Sequence, residues 1–225
     1  MKPILLLLLL MLGGNLAFSQ NCNFYYLQDG KTAEITFYTK KGDESGKGVY
    51  NVTSASKSGN GANSTVKSEM FNKKGKSIAK GTNNIKCDNG VFMVDLKAFI
   101  SPEQAEQIKA DAQAADVYLS YPVDLKVGDA LPDGNMDLDI QQDNGMKTHV
   151  NVKITDRKVE GQESITTPAG TWSCFRITYH SAIKVALMGI GIPIKADITE
   201  WFAPNFGVVK TESSKGSTTV LTKFQ

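Results

Sequence analysis

Ser77-Ile78-Ala79-Lys80-Gly81-Thr82-Asn83-Asn84-Ile85-Lys86-Cys87-Asp88-Asn89-Gly90-Val91-Phe92-Met93-Val94-Asp95-Leu96 is the stretch that decides the fold class. Its centre, Asn89-Gly90, suits a tight hairpin turn, because both central positions of the commonest such turn need positive φ. The runs on either side carry strand-like residues with period-two alternation, bounded by turn formers. Upstream, Ser64 to Phe71 and Ser77 to Cys87 flank Asn72-Lys73-Lys74-Gly75-Lys76, a second hairpin spacing. Ile35 to Thr39 and Gly48 to Thr53, joined by the turn-rich Lys40-Lys41-Gly42-Asp43, open the series.

Downstream, strands are expected at Val117 to Tyr121, Met136 to Ile140, His149 to Ile154 and Trp172 to Tyr179. Further strands are expected at Ile194 to Phe202, Val208 to Thr211 and Thr218 to Phe224. Ser101-Pro102-Glu103-Gln104 interrupts them with an N-cap, a proline at the first helical position and a capping-box Gln. One short α-helix is expected there, with Ala105, Ile108, Ala112 and Ala115 on its apolar face against the sheet. About a dozen strands with turn signals roughly every 8 to 12 residues predict an all-β, mostly antiparallel fold. The architecture expected is a single barrel or half-open barrel over residues 20–225. Strands do not alternate with helices, so a parallel nucleotide-binding sheet is not expected.

Residues 1–19 read as a cleaved signal peptide: Lys2, an apolar run from Ile4 to Leu12, and small residues at Ala17 and Ser19. Cleavage is expected after Ser19. The run is too short for the roughly 20 apolar residues of a transmembrane helix, and no longer one follows, so the mature chain is expected to lack a transmembrane segment. A lipid-anchored protein would carry small residues just before its cysteine. Cys22 instead follows Ser19-Gln20-Asn21. Export to the periplasm or beyond is the expected localisation.

The formal net charge of +2, with both signs interspersed, supplies no electrostatic footprint for nucleic acid. The three cysteines are Cys22, Cys87 and Cys174. Cys174, between Trp172 and Phe175 on a strand-like segment, reads as a buried core thiol. By elimination a Cys22–Cys87 disulfide is expected, tying the mature N-terminus to the fourth strand. Three unrelated buried thiols are the alternative, since connectivity does not follow from sequence.

Thr166-Thr167-Pro168-Ala169-Gly170-Thr171-Trp172-Ser173-Cys174-Phe175 and Glu200-Trp201-Phe202-Ala203-Pro204-Asn205-Phe206-Gly207-Val208-Val209-Lys210-Thr211-Glu212 resemble a family of secreted bacterial proteins of unknown function, the TapB-like family. Asp156-Arg157-Lys158-Val159-Glu160 and the region from Cys87 to Asp95 are similar too. The resemblance implies an exported β domain, related to periplasmic half-barrels that carry lipoproteins or lipids. It implies no catalytic site. Phe202 stands where that family usually has tyrosine. Independently of the resemblance, Pro168 to Gly170 and Ala203 to Gly207 are turn sequences by backbone geometry.

Candidate chemistry is sparse. Asp133, Asn135, Asp137 and Asp139 space oxygens like the front of a calcium loop, but Leu138 and Asn144 stand where that loop needs glycine and glutamate. A strand with an acidic outer face accounts for the same residues. His149 and His180 have no Cys or acid at metal-ligand spacing, and no metal or cofactor is expected. Glu200 beside Trp201 is the only pairing suggestive of sugar chemistry; on a strand the tryptophan is expected in the core and the acid outside. No nucleophile elbow or phosphate-cradling loop occurs, and an enzyme is not expected.

Ala186-Leu187-Met188-Gly189-Ile190-Gly191-Ile192-Pro193-Ile194 is apolar, uncharged and twice interrupted by glycine. Leu187, Met188, Ile190 and Ile192 are therefore the candidate contacts for an apolar ligand such as a lipid, near a barrel opening. A hairpin folded over the sheet as ordinary core explains the same residues. The function expected is a non-enzymatic envelope protein binding an apolar ligand. The alternative is an interaction or scaffolding module with a filled interior, docking an envelope protein partner.

Overall fold

The computed structural model describes residues 22–96, 117–141, 147–187, 191 and 193–225. The expected signal peptide and the helix from Ser101 lie outside the described residues, as do Met188, Ile190 and Ile192. The described residues open with a 3-10 turn, Tyr25–Leu27, followed by β1 (Thr32–Tyr38), β2 (Glu44–Ser58), β3 (Gly61–Asn72), β4 (Ser77–Asp88), β5 (Val91–Asp95) and β6 (Tyr118–Pro122). The second half comprises β7 (Gly134–Gln141), β8 (Lys147–Thr167), β9 (Gly170–Leu187), β10 (Ile194–Ala203), β11 (Gly207–Ser213) and β12 (Thr218–Phe224).

All twelve strands form one antiparallel sheet in the order β6-β5-β4-β3-β2-β1-β12-β11-β10-β9-β8-β7. Consecutive strands are neighbours except β6 and β7, and β1 pairs with β12, so the meander rolls into a nearly closed barrel. The one unsealed seam lies between β6 and β7. At that seam Gly134 opens β7 hard against Leu119 and Leu96; an added Cβ would stand 2.9 Å from Leu119 Cδ2, so only glycine fits without a shift.

The hairpins follow the turn chemistry of the sequence. Asn89 and Gly90 both take positive φ, 45° and 77°, between β4 and β5. The Pro168–Gly170 and Ala203–Gly207 turns join β8 to β9 and β10 to β11.

Inside the barrel, alternate residues form one continuous core. Phe24 stacks on Phe92 at 4.1 Å, and Tyr121 stacks on Phe202 at 4.6 Å. A second, smaller cluster gathers Tyr25, Ala33, Cys174, Trp201, Ala203, Phe206, Val209 and Leu221, with Trp172 packed against it. Trp201 and Phe202 serve different clusters because neighbouring strand residues point to opposite faces. The Cys22–Cys87 disulfide closes, with Cα atoms 5.6 Å apart, and pins the N-terminal segment to the end of β4. Cys174 is free and buried, as its setting suggested.

Candidate functional site

The arrangement with the most unspent chemistry lies in the barrel interior at the seam, and Arg157 builds it. In the β8–β9 pairing, Thr155 faces His180 and Lys158 faces Thr178. Asp156 and Arg157 together therefore oppose Tyr179 alone, which is a β-bulge. Asp156 adopts φ 57°, and its backbone N–H donates to Asp133 Oδ1 at 3.0 Å. A bulge of this kind re-aims a side chain. Here it turns the Arg157 guanidinium into the barrel, where the residue is 1% exposed.

Arg157 Nη1 donates to the backbone oxygens of Ser120 on β6, at 3.0 Å, and of Pro132 just before β7, at 2.9 Å. One nitrogen thus spans the two sheet edges that do not pair. The guanidinium carbon sits 4.7 Å from the centroid of the Tyr121 ring, which also stacks on Phe202. Such stacking suits a weakly hydrated, planar cation.

Glu200 faces the same interior. It is 1% exposed, which corrects the expectation that it points outward while Trp201 fills the core. The reason is period two: Ile198, Glu200 and Phe202 share one face, and Ile198 and Phe202 both belong to the interior cluster. Tyr179 donates its hydroxyl to Glu200 Oε2 at 3.3 Å. Burial pushes the Glu200 carboxyl above its ordinary range, against the opposing pull of Arg157 and of the hydroxyls of Tyr121 and Tyr179. Burial also holds both tyrosines well above theirs, so they remain protonated donors.

Arg157 Nε and Nη2 and Glu200 Oε1 are buried without a close hydrogen bond, and the Tyr121 hydroxyl interacts with both side chains. Buried polar atoms are nearly always satisfied, so orphans of this kind call for an explanation.

Trp201 does not present a sugar-stacking face. It is 7% exposed, its indole N–H donates to Glu163 Oε1 at 2.8 Å, and Lys210 Nζ lies 4.6 Å from its ring centroid. Glu163 also pairs with Arg176 Nε at 3.3 Å.

The two histidines do meet acids, across strands rather than along the chain. His149 Nε2 lies 3.1 Å from Asp137 Oδ1, and His180 Nδ1 lies 2.6 Å from Asp197 Oδ1. Linear spacing misses pairs that a sheet register creates. Asp137 belongs to β7, paired opposite Asn151, as the strand reading of that acidic stretch required. Among the described residues no group of three or more His, Cys, Asp or Glu is placed to hold a metal ion.

Of the four candidate apolar contacts only Leu187 is described, as the last residue of β9, paired with Thr148. At the far side of the same apolar run, Ile194 is 66% exposed. A separate open cleft of about 370 Å³ lies where the β8–β9 turn meets β1 and β12, lined by Thr32, Glu34, Val49, Ala169, Lys223, Phe224 and Gln225. Sequence reasoning singled out neither this cleft nor the Arg157 cluster. The alternation of Arg157 with Val159 and of Glu200 with Phe202 was the signal available for the cluster.

Among the described residues no helix is long and apolar enough to cross a membrane. The fold is similar to that of a candidate exported protein with a YmcC-like fold from Bacteroides fragilis, at TM-score 0.73 and 23% identity, covering 91% of this chain and 100% of that one. A candidate lipoprotein from Parabacteroides distasonis is similar at TM-score 0.74 and 24% identity, with the same 91% and 100% coverage. At such identities the likeness speaks for the fold. No curated protein matches the chain. The DUF3108-like family matches residues 28–223, nearly the whole described β structure, and the chain belongs to that family.

Proposed function

We propose that the chain is a non-enzymatic, exported envelope module that works through its surface, with its barrel interior serving as a packed scaffold. The observation that carries this reading is the filling of the interior. Phe24, Phe92, Tyr121 and Phe202 stack across it, and the inward residues of most strands join them in one buried cluster. A carrier of lipid-sized ligands needs a cavity of roughly 300 Å³ or more inside its walls. Export is supported by the leader-like residues 1–19, by a disulfide of the kind oxidising compartments sustain, and by the descriptions given to the two similar structures. Cys22 is committed to that disulfide, which speaks against its carrying a lipid anchor.

The contact point under this reading is Ile194, at the end of the apolar sequence 186–194. Ile194, exposed at its end, is an apolar side chain of the type that marks a docking site when neighbours share its character. A second reading, an apolar ligand bound outside the barrel, is favoured by the 370 Å³ cleft, where Phe224 is 45% exposed beside Val49. It keeps the relation to lipid- and lipoprotein-carrying half-barrels open.

Native mass spectrometry of protein purified without detergent from an exporting host, followed by organic extraction, separates the two. The scaffold reading expects an apo mass. It also expects cross-links to an envelope protein that vanish in Ile194→Asp while the fold persists. A stoichiometric co-purifying lipid, retained in Ile194→Asp and lost in Phe224→Asp, would overturn it in favour of the cleft.

A further inference from the structure

The near-neutral balance of the whole chain hides a local asymmetry. Three hairpin turns share one design: Thr39-Lys40-Lys41-Gly42-Asp43 joins β1 to β2, Asn72-Lys73-Lys74-Gly75-Lys76 joins β3 to β4, and Ser213-Ser214-Lys215-Gly216-Ser217 joins β11 to β12. In each, the first residue's N–H donates to the fifth residue's carbonyl, and the fourth residue's N–H donates to the first residue's carbonyl. The first side chain, through Thr39 Oγ1, Asn72 Oδ1 or Ser213 Oγ, accepts from the backbone N–H of the third residue, Lys41, Lys74 or Lys215. The fourth residue is always glycine at positive φ, 82°, 74° and 93°. Backbone geometry accounts for the capping residue and the glycine. It makes no demand on the third position, which is lysine in all three turns.

The sheet order gathers these turns. Strands β4-β3-β2-β1-β12-β11 are successive antiparallel neighbours, so the three turns follow one another along one rim of the barrel, about 10 Å or two strand spacings apart. Gly216 lies against Lys40: an added Cβ would stand 2.5 Å from Lys40 Cγ. Together the turns hold six lysines, Lys40, Lys41, Lys73, Lys74, Lys76 and Lys215, against one acid, Asp43. All six are exposed, and none pairs with an acid among the described residues. At the opposite end the hairpin turns 59–60, 89–90, 168–169 and 204–206 contain no lysine or arginine. The 123–133 connection there sets Asp124, Asp129 and Asp133 against Lys126. Solvation alone would not sort lysines to one end. Beside the basic turns, the Ser214 N–H donates to the Asp197 carbonyl at 2.8 Å, which places Ile194 about 10 Å further out along β10. That side chain is 66% exposed.

We propose that this rim is a docking surface for an anionic lipid bilayer, on which the lysines meet phosphate-bearing head groups and Ile194 enters the apolar layer beneath them. This rests on the reading above that the chain works through its surface, and assigns a bilayer to the lysine-bearing end. A soluble polyanion would match the charge alone; the exposed apolar side chain beside it favours a membrane. Each lysine held near such a surface strengthens binding about fivefold, and the attraction fades over about 10 Å at 0.1 M salt.

The test is co-sedimentation of the mature protein with phosphatidylcholine vesicles containing about 30% phosphatidylglycerol, and with phosphatidylcholine alone. Binding is expected to the anionic vesicles only, and is expected to weaken at least about tenfold between about 0.05 and 0.3 M salt. The triple variant Lys41→Ser, Lys74→Ser, Lys215→Ser, which the turn geometry accepts, should bind about a hundredfold more weakly. The control Lys57→Ser, Lys126→Ser, Lys153→Ser removes three exposed lysines elsewhere and has the same net charge, so it should bind as the unaltered protein does. Ile194→Ser should weaken binding several-fold with its salt dependence unchanged. Circular dichroism melts confirm that each variant is folded. An unaltered protein that stays in solution beside the anionic vesicles at low salt would overturn the proposal, and so would equal losses in the two triple variants. Polyphosphate that binds as tightly as the vesicles, whether or not Ile194 is changed, would overturn it in favour of a polymer. Cross-links to an envelope protein that persist where vesicle binding fails would sink the membrane assignment and leave the surface reading standing.

Discussion

Replacing both bridged cysteines, Cys22→Ala with Cys87→Ala, tests how far the barrel depends on its covalent clasp. The bridge joins residues 65 apart in sequence. In the chain-entropy treatment, closing a loop of that length in the unfolded ensemble removes about 14 cal/mol/K, or about 4 kcal/mol at room temperature. This is a large share of a typical folding free energy of about 5–15 kcal/mol. It is not the only tie on the N-terminal segment: Phe24 and Leu27 are each 1% exposed, and Phe24 stacks on Phe92 of β5. The double variant is therefore expected to fold but to unfold early. With a urea m-value of about 2 kcal/mol/M, the midpoint should fall by about 2 M, and a reducing agent should shift the unaltered protein by a similar amount. Both can be read by tryptophan fluorescence and far-UV circular dichroism, using the double variant so that neither bridge cysteine is left as a newly unpaired thiol. A shift below about 0.5 M at unchanged m would refute the reasoning, showing that apolar contacts already restrain that segment before folding.

Two further predictions concern buried groups. Because burial raises the folded-state carboxyl of Glu200 above its ordinary 4.5, its contribution to stability is fully present below that value and is lost as pH rises through the folded-state value. Thermal melts across a pH series should show Glu200→Gln losing this decline, up to about 1.4 kcal/mol per pH unit at its steepest, and surpassing the unaltered protein at pH 8. Parallel profiles for the two proteins would contradict that account. Cys174 is fully buried, and burial with the nearby Glu163 carboxylate pushes its thiol up to about 11. Native protein at pH 8 should react with iodoacetamide at least roughly a hundredfold more slowly than urea-unfolded protein, a ratio that labelling and mass spectrometry would measure.

Much of the strand order could be read from local residues. Asn89-Gly90, Asn72 to Lys76 and Ala203 to Gly207 each mark a turn by backbone demands that few other residues meet. Strand lengths were harder to see. His149 to Ile154 is the visible core of β8, which in fact runs from Lys147 to Thr167. Its continuation through Asp156-Arg157-Lys158 looks like a solvated charged stretch, and the bulge there breaks the period on which strand reading depends. The apolar run 186–194 stood out in sequence because it lacks charge. The Arg157 cluster did not, because its members come from β6, β8, β9 and β10, and Glu200 drew notice only as the neighbour of Trp201.

The sequence alone determined the fold class, the hairpin connections and the leader-like opening, because each rests on nearest neighbours: φ preferences at turns, alternation along strands, a short apolar run after a lysine. It also narrowed the disulfide to Cys22 and Cys87, since the third cysteine lies in an apolar strand. Only the tertiary structure decided which face of each strand looks inward. The register of β8, β9 and β10 brings Glu200 and the bulged Arg157 to the same inner face, and the missing pairing between β6 and β7 leaves the seam that Arg157 spans. Those facts depend on register and closure among residues far apart in the chain, and the energy of a buried charge is set by everything that surrounds it.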